Sequence, residues 1–475
     1  MKVLVVIANF GRANQAYLLR VLHEYRGMPY DLDIVVTSDI AKDFEPDIKV
    51  IVGLPNAQSW SLPFAHKKIM ADRHKDYDLF IYSEDDILIT KEHIESFLKA
   101  TEILGQDEIA GFLRFETDEF GEVHYIDAHS HYHWIPGSVR LRDNQTFGFF
   151  TNEHAGMYML TREQLRKAIE SGGFLVEPHQ ETYHLPETAA TDPYTQCGFK
   201  KMICLSRLED FSVAHLPNKK HGGRPYSAKS EFRHQIETLL EIQKNGHWKG
   251  KLFEANPRVG QGKWSKSYYE PFDPFSDPQA ILDITPHVPL TARSVLSIGC
   301  GWGAAEAELV RNGIRVVGVA IDSVIAACAA AKGIEVVCGD FSGARQKLEG
   351  ESFDCILLSY VLHLVPEPAQ VLSSFAELLS PGGTIIISAP NLSWPVILWK
   401  RMSRDQKYQH FGKYEQSGIH LTDKRSISRW LQNCGLKIDK TVPISARRAG
   451  SALRFWPWVG SKFAPTDLIA IATRR

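Results

Sequence analysis

Short apolar runs alternate with amphipathic stretches along most of this 475-residue chain. Lys2–Ala8 is a run of the first kind, typical of a strand that is covered on both faces of a sheet. Asn14–Tyr25, Arg162–Ser171 and Ser230–Asn245 instead have apolar residues at helical spacing. Regular alternation of such strands and helices predicts an α/β protein with two doubly wound, Rossmann-like sheets.

A change in this pattern divides the chain near its middle. From Gly246 to Pro289, Gly, Pro, Lys and aromatic residues are frequent and the periodicity is weak. We therefore predict a first domain at 1–255, a linker at 256–282 and a second domain at 283–475.

Composition narrows the class of protein. A net charge of −2 and a hydrophobic content of 44% are ordinary for a globular protein and provide no basic field for nucleic acid. Seven irregularly spaced cysteines indicate reduced thiols, which predicts a cytoplasmic protein. No apolar run reaches the length of a transmembrane helix. The aromatic segment Phe455–Phe463 leaves open either packing under the last strand or peripheral contact with the inner face of a membrane.

The stretch Val295-Leu-Ser-Ile-Gly-Cys-Gly-Trp-Gly303 joins a strand to a helix. Gly299, Gly301 and Gly303 lack the Cβ atoms that would keep a ligand away from the backbone, and the next helix begins with unpaired N–H groups. The stretch therefore predicts a nucleotide-binding turn.

Together with the strands after it and the block Tyr414–Ser426, this turn resembles the class I S-adenosylmethionine-dependent methyltransferases from about residue 290 to 475. The resemblance implies S-adenosylmethionine as cofactor, with its methionine part held by the three glycines. It also implies that Asp340 bonds the adenine amine and that Phe341 covers the adenine ring. His363 and His420 are candidates to accept the proton of an acceptor hydroxyl, with a structural role as the alternative for each.

Two positions depart from the family pattern. The family usually has an acid at the position of Ser297 and another at the position of Ala320, where it binds the ribose. Asp322 lies two residues beyond Ala320, so it points the same way if the strand continues that far. Otherwise we expect weaker cofactor binding or a degenerate domain.

An acidic cluster marks a second centre, in Tyr82-Ser-Glu-Asp-Asp-Ile-Leu-Ile89. Glu84, Asp85 and Asp86 end an apolar strand, and burying such a cluster is costly unless a cation neutralises it. A divalent metal ion, Mn²⁺ or Mg²⁺, bridging to a diphosphate would do so; a solvated acidic turn is the alternative. Asp39, after the second strand, is a candidate for bonding a base, or else a turn cap.

Residues 1–220 resemble the GT-A glycosyltransferases, whose acidic metal motif ends a strand in this way. The resemblance implies that Asp86 and His215 bind the metal, that Glu84 and Asp85 face the ribose or base, and that Lys67 lies near the donor. An exposed helix lysine and an ordinary buried histidine are the alternatives for Lys67 and His215.

The acceptor side is less specific. Trp134 is a candidate stacking platform for a sugar, and His129, His131 and His133 could instead form a zinc site or belong to a plain loop. The GT-A resemblance implies a catalytic acid at a helix start, for which we choose Asp192 with Glu187 in reserve. Asp192 before Pro193 also fits a helix N-cap.

These interpretations predict a bifunctional enzyme: a nucleotide-sugar donor and a glycan or lipid-linked glycan acceptor in the first half, and O-methylation of a sugar or related hydroxyl in the second. One alternative is a methyltransferase whose first half is a non-catalytic carbohydrate-binding module. Another is a glycosyltransferase with a degenerate methyltransferase fold.

Overall fold

The computed structural model of this protein describes residues 1–128, 132–180, 183–218, 227–245, 252, 284–301, 303–391, 414–444 and 467–474. The described residues up to Asn245 form one compact unit, and those from Leu252 onward form a second. Each unit has its own buried core. The predicted linker at 256–282 lies outside the described residues.

Three sheets build the described part of the first unit. Its strands are β1 (Lys2–Asn9), β2 (Asp31–Ser38), β3 (Ile48–Val52), β4 (Leu79–Glu84), β5 (Ile87–Leu88), β6 (Glu108–Ala110), β7 (Leu113–Thr117), β8 (Val123–Tyr125), β9 (Trp134–Arg142), β10 (Gln145–Phe150), β11 (Met157–Thr161), β12 (Lys200–Cys204), β13 (Ser212–His215) and β14 (Ser227–Ala228). Its helices are α1 (Gln15–Arg26), α2 (Ala65–Asp72), α3 (Lys91–Ile103), α4 (Arg162–Glu170), α5 (Leu185–Thr195) and α6 (Lys229–Asn245), with 3₁₀ turns at Ser59–Phe64 and Leu208–Phe211.

The largest core of this unit surrounds a sheet of order β11-β4-β1-β2-β3. The strands β4, β1, β2 and β3 are parallel to one another, whereas β11 is antiparallel to β4. Val3 to Ile7 of β1 are 0% exposed, which explains why these five positions are all apolar.

Two smaller sheets complete the unit, with orders β6-β12-β10-β9 and β14-β8-β7-β13-β5. The second contains the pairing that matters most for function. β13 is antiparallel to β5, with His215 opposite Ile87, so a histidine far along the chain lies beside the acidic cluster.

The second unit is one sheet with helices. Its described strands are β15 (Ser294–Cys300), β16 (Arg315–Ala320), β17 (Glu335–Val337), β18 (Phe353–Ser359), β19 (Leu379–Pro390), β20 (Leu436–Ile444) and β21 (Asp467–Arg474). The helices are α7 (Ala304–Arg311), α8 (Ser323–Ala330), α9 (Phe341–Lys347), α10 (Pro368–Ala376), α11 (Tyr414–Ser417) and α12 (Lys424–Asn433), with 3₁₀ turns at Thr285–His287 and Leu362–Leu364.

The strand order of this sheet is β17-β16-β15-β18-β19-β21-β20. The five strands from β17 to β19 are parallel, and β21 is antiparallel to both β19 and β20. The order reverses on either side of β15, and ligands of doubly wound sheets bind beyond the carboxyl ends of the strands at such a point. The predicted α/β class and the Rossmann-like sheet of this unit are confirmed.

All seven cysteines are free thiols, as the composition predicts. Within the described residues, no helix is both long enough and apolar enough to cross a bilayer.

Candidate functional site

The glycine turn follows β15 at the point where the strand order reverses. Gly299 and Gly303 have φ values of +80° and +77°, a region that residues with a Cβ atom rarely adopt. A Cβ on Gly303 would lie 2.5 Å from Ile334 Cδ1 and 3.1 Å from Ala329 Cα. Gly303 is therefore required by the packing of the turn itself. Gly301, which lies between Gly299 and Gly303 in the sequence, is buried.

Asp322 does not lie on the strand before it. The condition for Asp322 to point toward the ribose, that the strand continues as far as Asp322, is not met, because β16 ends at Ala320. Asp322 instead caps α8: its Oδ1 accepts hydrogen bonds from the N–H groups of Val324 at 2.8 Å and Ile325 at 2.9 Å. Its carboxylate therefore has a structural function in this unit.

Asp340 and Phe341 lie at the next strand–helix junction. Asp340 is exposed and caps α9, with its Oδ1 accepting a hydrogen bond from Gly343 N at 2.7 Å. Phe341 is partly buried, with its ring centroid 6.3 Å from that of Phe375. This arrangement leaves an acid and an aromatic ring together on the side of the sheet where the adenine is predicted.

The two predicted bases are joined through the backbone. His420 N donates to His363 O at 2.8 Å. The His363 side chain is completely buried in its 3₁₀ turn. His420 Nε2 lies 3.0 Å from Val365 O and 3.1 Å from Pro366 O, and its ring stacks on Tyr414. Both contacts anchor the chain, which favours the structural alternative for His420.

Two features of this site have no counterpart in the sequence-based prediction. Ser297 Oγ donates a hydrogen bond of 2.6 Å to Glu306 Oε1, at the start of α7. Tyr360, directly after β18, has a φ of +53°, and its N–H donates to Ser388 O at 2.9 Å. A backbone in this region is uncommon for a residue with a side chain and is concentrated at functional sites. No pattern of residue types signals either feature.

In the first unit, the structure brings together the two predicted metal ligands. His215 Nε2 lies 3.4 Å from Asp86 Oδ2, and its Nδ1 lies 2.5 Å from Glu116 Oε1. Burial lowers the pKa of His215, but the hydrogen bonds to Asp86 and Glu116 outweigh it, and the net pKa is raised. Asp86 Oδ1 is buried and makes no hydrogen bond within the described part of the chain. A buried carboxylate oxygen of this kind, beside an imidazole, fits a divalent metal.

The other two acids of the cluster are held differently. Asp85 accepts hydrogen bonds from the side-chain amides of Asn9 and Asn14. Burial, and after it the charge of Asp86, raises the pKa of Asp85 to about 6. Glu84 ends β4, and its N–H donates to Gly156 O at 2.8 Å. Contact of either acid with a ribose or base stays a prediction.

Asp39 connects two loops at the carboxyl end of this sheet. It follows β2, and its Oδ1 accepts a hydrogen bond of 2.7 Å from Gly11 N, beyond β1. This contact joins neighbouring loops instead of capping a local turn, and its predicted bond to a base stays a prediction.

The predicted position of Asp192 is wrong. Helix α5 begins at Leu185, where His184 and Glu187 form a capping box and Pro186 occupies the first turn. Glu187 Oε2 accepts a hydrogen bond from His184 N at 3.2 Å, so the reserve acid is a capping residue. Asp192 lies deep in the helix, with Pro193 following it inside the helix.

Asp192 forms a buried ion pair with Lys67 of α2. The two residues are 0% and 2% exposed. Burial lowers the pKa of Lys67 and raises that of Asp192. The exposed-lysine alternative for Lys67 does not fit this geometry. His179 Nε2 lies 3.5 Å from the other oxygen of Asp192, Oδ1, and the role of Asp192 as catalytic base stays a prediction.

Trp134 is a core residue. It is 2% exposed, and its ring packs against Phe150 and Phe232 at centroid distances of 4.9 and 5.7 Å. The prediction that it stacks on a sugar is therefore wrong. His129 and His131 lie outside the described residues, so the predicted zinc cluster stays a prediction.

A second buried network of charges was not predicted. Lys201 Nζ donates to the carbonyl oxygens of Asn152 and Glu153, each at 3.2 Å. Burial lowers the pKa of Lys201 to about 8 and raises that of Glu153 to about 7. Beside them, Arg114 and Asp127 form an ion pair of 2.7 Å.

Comparison with known proteins concerns mainly the second unit. A family model described as a methyltransferase domain matches residues 236–441. A ubiquinone biosynthesis O-methyltransferase from Nitrosococcus oceani is 33% identical over 174 residues, which are 35% of this chain and 74% of the relative. The protein of the same name from Xylella fastidiosa is 26% identical over 180 residues, 37% of this chain and 70% of the relative.

A solved structure of magnesium protoporphyrin IX methyltransferase from Synechocystis PCC 6803 matches 42% of this chain and 81% of its own, at 18% identity and a TM-score of 0.30. A TM-score of 0.30 is too low to support a conclusion about function, so the assignment depends on the sequence matches. The family match begins at residue 236, inside α6, and the comparisons do not support the resemblance of residues 1–220 to glycosyltransferases.

Proposed function

Because this chain belongs to the S-adenosylmethionine-dependent methyltransferases, we propose that its second unit transfers a methyl group to a hydroxyl oxygen of an acceptor. Two sequence relatives carry the name O-methyltransferase, which supports oxygen as the receiving atom. A sugar or related hydroxyl is the acceptor class we propose, on the resemblance of residues 1–220 to glycosyltransferases.

The glycine turn carries this proposal. It lies at the carboxyl end of β15, beside the reversal of strand order, and two of its glycines have positive φ. S-adenosylmethionine, when bound, supplies an activated methyl group. The chain's own residues hold and orient it: the turn takes the methionine part, and Asp340 and Phe341 take the adenine. Orientation of the acceptor oxygen supplies most of the rate enhancement.

The residues of the second unit fit this cofactor except at the ribose. Ala320 offers no hydrogen-bond acceptor in its side chain, and Asp322 caps α8. We therefore expect binding weaker than in an enzyme that has an acid at the end of β16.

Calorimetry with S-adenosylmethionine tests the proposal, followed by detection of S-adenosylhomocysteine with a panel of phenols and sugars as acceptors. We expect binding, and turnover with at least one hydroxyl compound. Absence of cofactor binding by the folded protein would reject the proposal.

For the first unit, we propose a carbohydrate-binding module that presents a glycosylated acceptor. The comparisons support methyl transfer and give no support to sugar transfer, which favours this alternative over a bifunctional enzyme.

One observation favours metal-dependent sugar transfer as a second candidate function of this unit. Asp86 and His215, brought together by the pairing of β5 with β13, leave a buried carboxylate oxygen without a hydrogen bond in the described residues. Asp86 and His215 would hold the ion, which would bind a donor diphosphate.

Nucleotide sugars with and without Mn²⁺ distinguish the two functions. If the unit is a transferase, donor hydrolysis requires Mn²⁺ and Asp86→Asn abolishes it. If it is a binding module, the protein hydrolyses no donor with or without Mn²⁺, and Asp86→Asn leaves methyl transfer by the second unit unchanged. Lys68→Gln, at an exposed position of α2, is the matched control for both.

A further inference from the structure

Ser297 and Glu306 form a buried pair between the strand and the helix that the glycine turn joins. Ser297 lies on β15, two residues before Gly299, and Glu306 lies in the first turn of α7, three residues after Gly303. Ser297 Oγ donates a 2.6 Å hydrogen bond to Glu306 Oε1, and the two residues are 1% and 7% exposed. A buried carboxylate thus connects the strand and the helix on either side of the turn.

Glu306 lies at a position where a negative charge is stabilised by the helix. The amino terminus of a helix attracts anions, and Glu306 lies in the first turn of α7. The carboxylate also acts on the end of the strand, because burial, and after it the charge of Glu306, raises the pKa of the Cys300 thiol. Glu306 therefore lies between the strand and the helix that together form the turn.

The methyltransferase family that this chain resembles usually has an acid at the position of Ser297. Here the strand provides a hydroxyl, and a helix residue nine positions later provides the carboxylate in contact with it. Ser297 is 1% exposed and Glu306 is 7% exposed, so Glu306 is the less buried of the two.

We infer that Glu306 replaces the missing strand acid and binds the ammonium group of the methionine part of the cofactor, with Ser297 holding its carboxylate in place. This inference rests on the proposed methyltransferase function. It makes Glu306 a cofactor-binding residue and Ser297 a positioning residue.

The test compares two ligands of the whole protein by calorimetry. S-adenosylhomocysteine carries the ammonium group, whereas 5′-methylthioadenosine has the nucleoside and sulfur without the amino-acid part. We expect Glu306→Gln to weaken S-adenosylhomocysteine binding by about tenfold or more, as for loss of a charged hydrogen bond, and to leave 5′-methylthioadenosine binding unchanged. Glu308→Gln, on the same helix, is the matched control and retains both affinities.

If the acid has moved from the strand to the helix, moving it back gives a second prediction. Glu306→Ala should lose the same affinity, and adding Ser297→Asp to that variant should recover most of it, because the carboxylate returns to the strand. Denaturant unfolding of each variant without ligand verifies that the folded state is retained.

The outcomes separate the inference from the proposed function. If the unaltered protein binds neither ligand, both fail. If it binds both and Glu306→Gln binds them equally well, only the role of Glu306 is rejected. Equal losses for the two ligands would show that Glu306 shapes the turn without contacting the ammonium group, which also overturns the inference.

Discussion

Lys67 and Asp192 form an ion pair whose side chains are 3% and 0% exposed. Removing one partner of such a pair leaves an uncompensated buried charge, whereas removing both leaves none. The pair was not predicted, since α2 and α5 are far apart in the chain and each residue type has an ordinary surface interpretation.

We expect Lys67→Met to lower the free energy of unfolding by about 3–5 kcal/mol, because Asp192 then remains buried without its cation. The double variant Lys67→Met/Asp192→Leu should lose less than Lys67→Met alone. Urea unfolding measures both. Lys68→Met, which removes an exposed ion pair with Asp72, should cost no more than about 0.5 kcal/mol. A Lys67→Met cost similar to that of the control would contradict this account.

Glu153 and Lys201 give the stability of the protein a specific dependence on pH. The pKa of Glu153 in the folded protein is about 7, above its value of about 4.3 in an unfolded chain. The folded state then holds a proton that the unfolded state has released, so stability falls as pH rises through this interval and is constant above it. Lys201, with a folded pKa of about 8 against about 10.4 unfolded, produces a rise in stability between those values.

The combined contribution of Glu153 and Lys201 to the free energy of unfolding should therefore have a minimum between about pH 7 and 8. Glu153→Gln should remove the decline on the acidic side and leave the rise on the basic side. Urea unfolding at a series of pH values measures both slopes. An unchanged acidic slope in Glu153→Gln would show that another group titrates there.

At the scale of elements, the turn between β15 and α7 depends on Gly303 for two reasons. Its φ is +77°, and a Cβ would overlap Ile334 and approach Ala329. Gly313, also in the second unit, has a φ of +80° with no atom within 4 Å of its Cβ position.

Gly313 therefore separates backbone strain from packing. We expect Gly313→Ala to destabilise by about 1–2 kcal/mol through its positive φ alone. Gly303→Ala should cost at least about 1 kcal/mol more, because the added methyl group displaces packed neighbours. Urea unfolding compares the two, and equal costs would mean that Ile334 yields without penalty.

Local patterns predicted the elements well because each is encoded within a few residues. The apolar run at β1, the glycine turn and the helices α1, α4 and α6 appear close to where periodicity places them. Errors arose at ends and in distant contacts. The strand β16 stops at Ala320, before Asp322, and a capping box starts α5 earlier than the prediction for Asp192 requires.

In the candidate site, too, local features could be predicted from the sequence and contacts between distant residues could not. Glycines that need positive φ are visible in sequence, whereas the contact of Glu306 with Ser297 requires a helix to fold back on a strand. Trp134 illustrates the opposite error, since an aromatic residue among histidines resembles a binding platform until its burial against Phe150 and Phe232 is known. The Asp86–His215 contact was anticipated through family resemblance alone.

For the whole molecule, the two candidate sites should respond to separate ligands. S-adenosylmethionine at about a hundred times its Kd should raise the free energy of unfolding by about 2.7 kcal/mol, since it binds the folded state. Differential scanning calorimetry measures the accompanying rise in Tm. Asp86→Asn should retain this response and lose any rise caused by Mn²⁺. Loss of the S-adenosylmethionine response in Asp86→Asn would contradict separate sites.

The strand order of the second unit also has a consequence for biosynthesis. Within the described residues, β20 pairs with β21, and β21 alone joins it to β19. A nascent chain that has emerged from the ribosome as far as β20 therefore has no place for that strand, and β19 presents an open edge. Open edges recruit strands from other chains. We expect translation that stalls before β21 to produce an aggregation-prone intermediate that requires chaperones, although most of its core residues are already present.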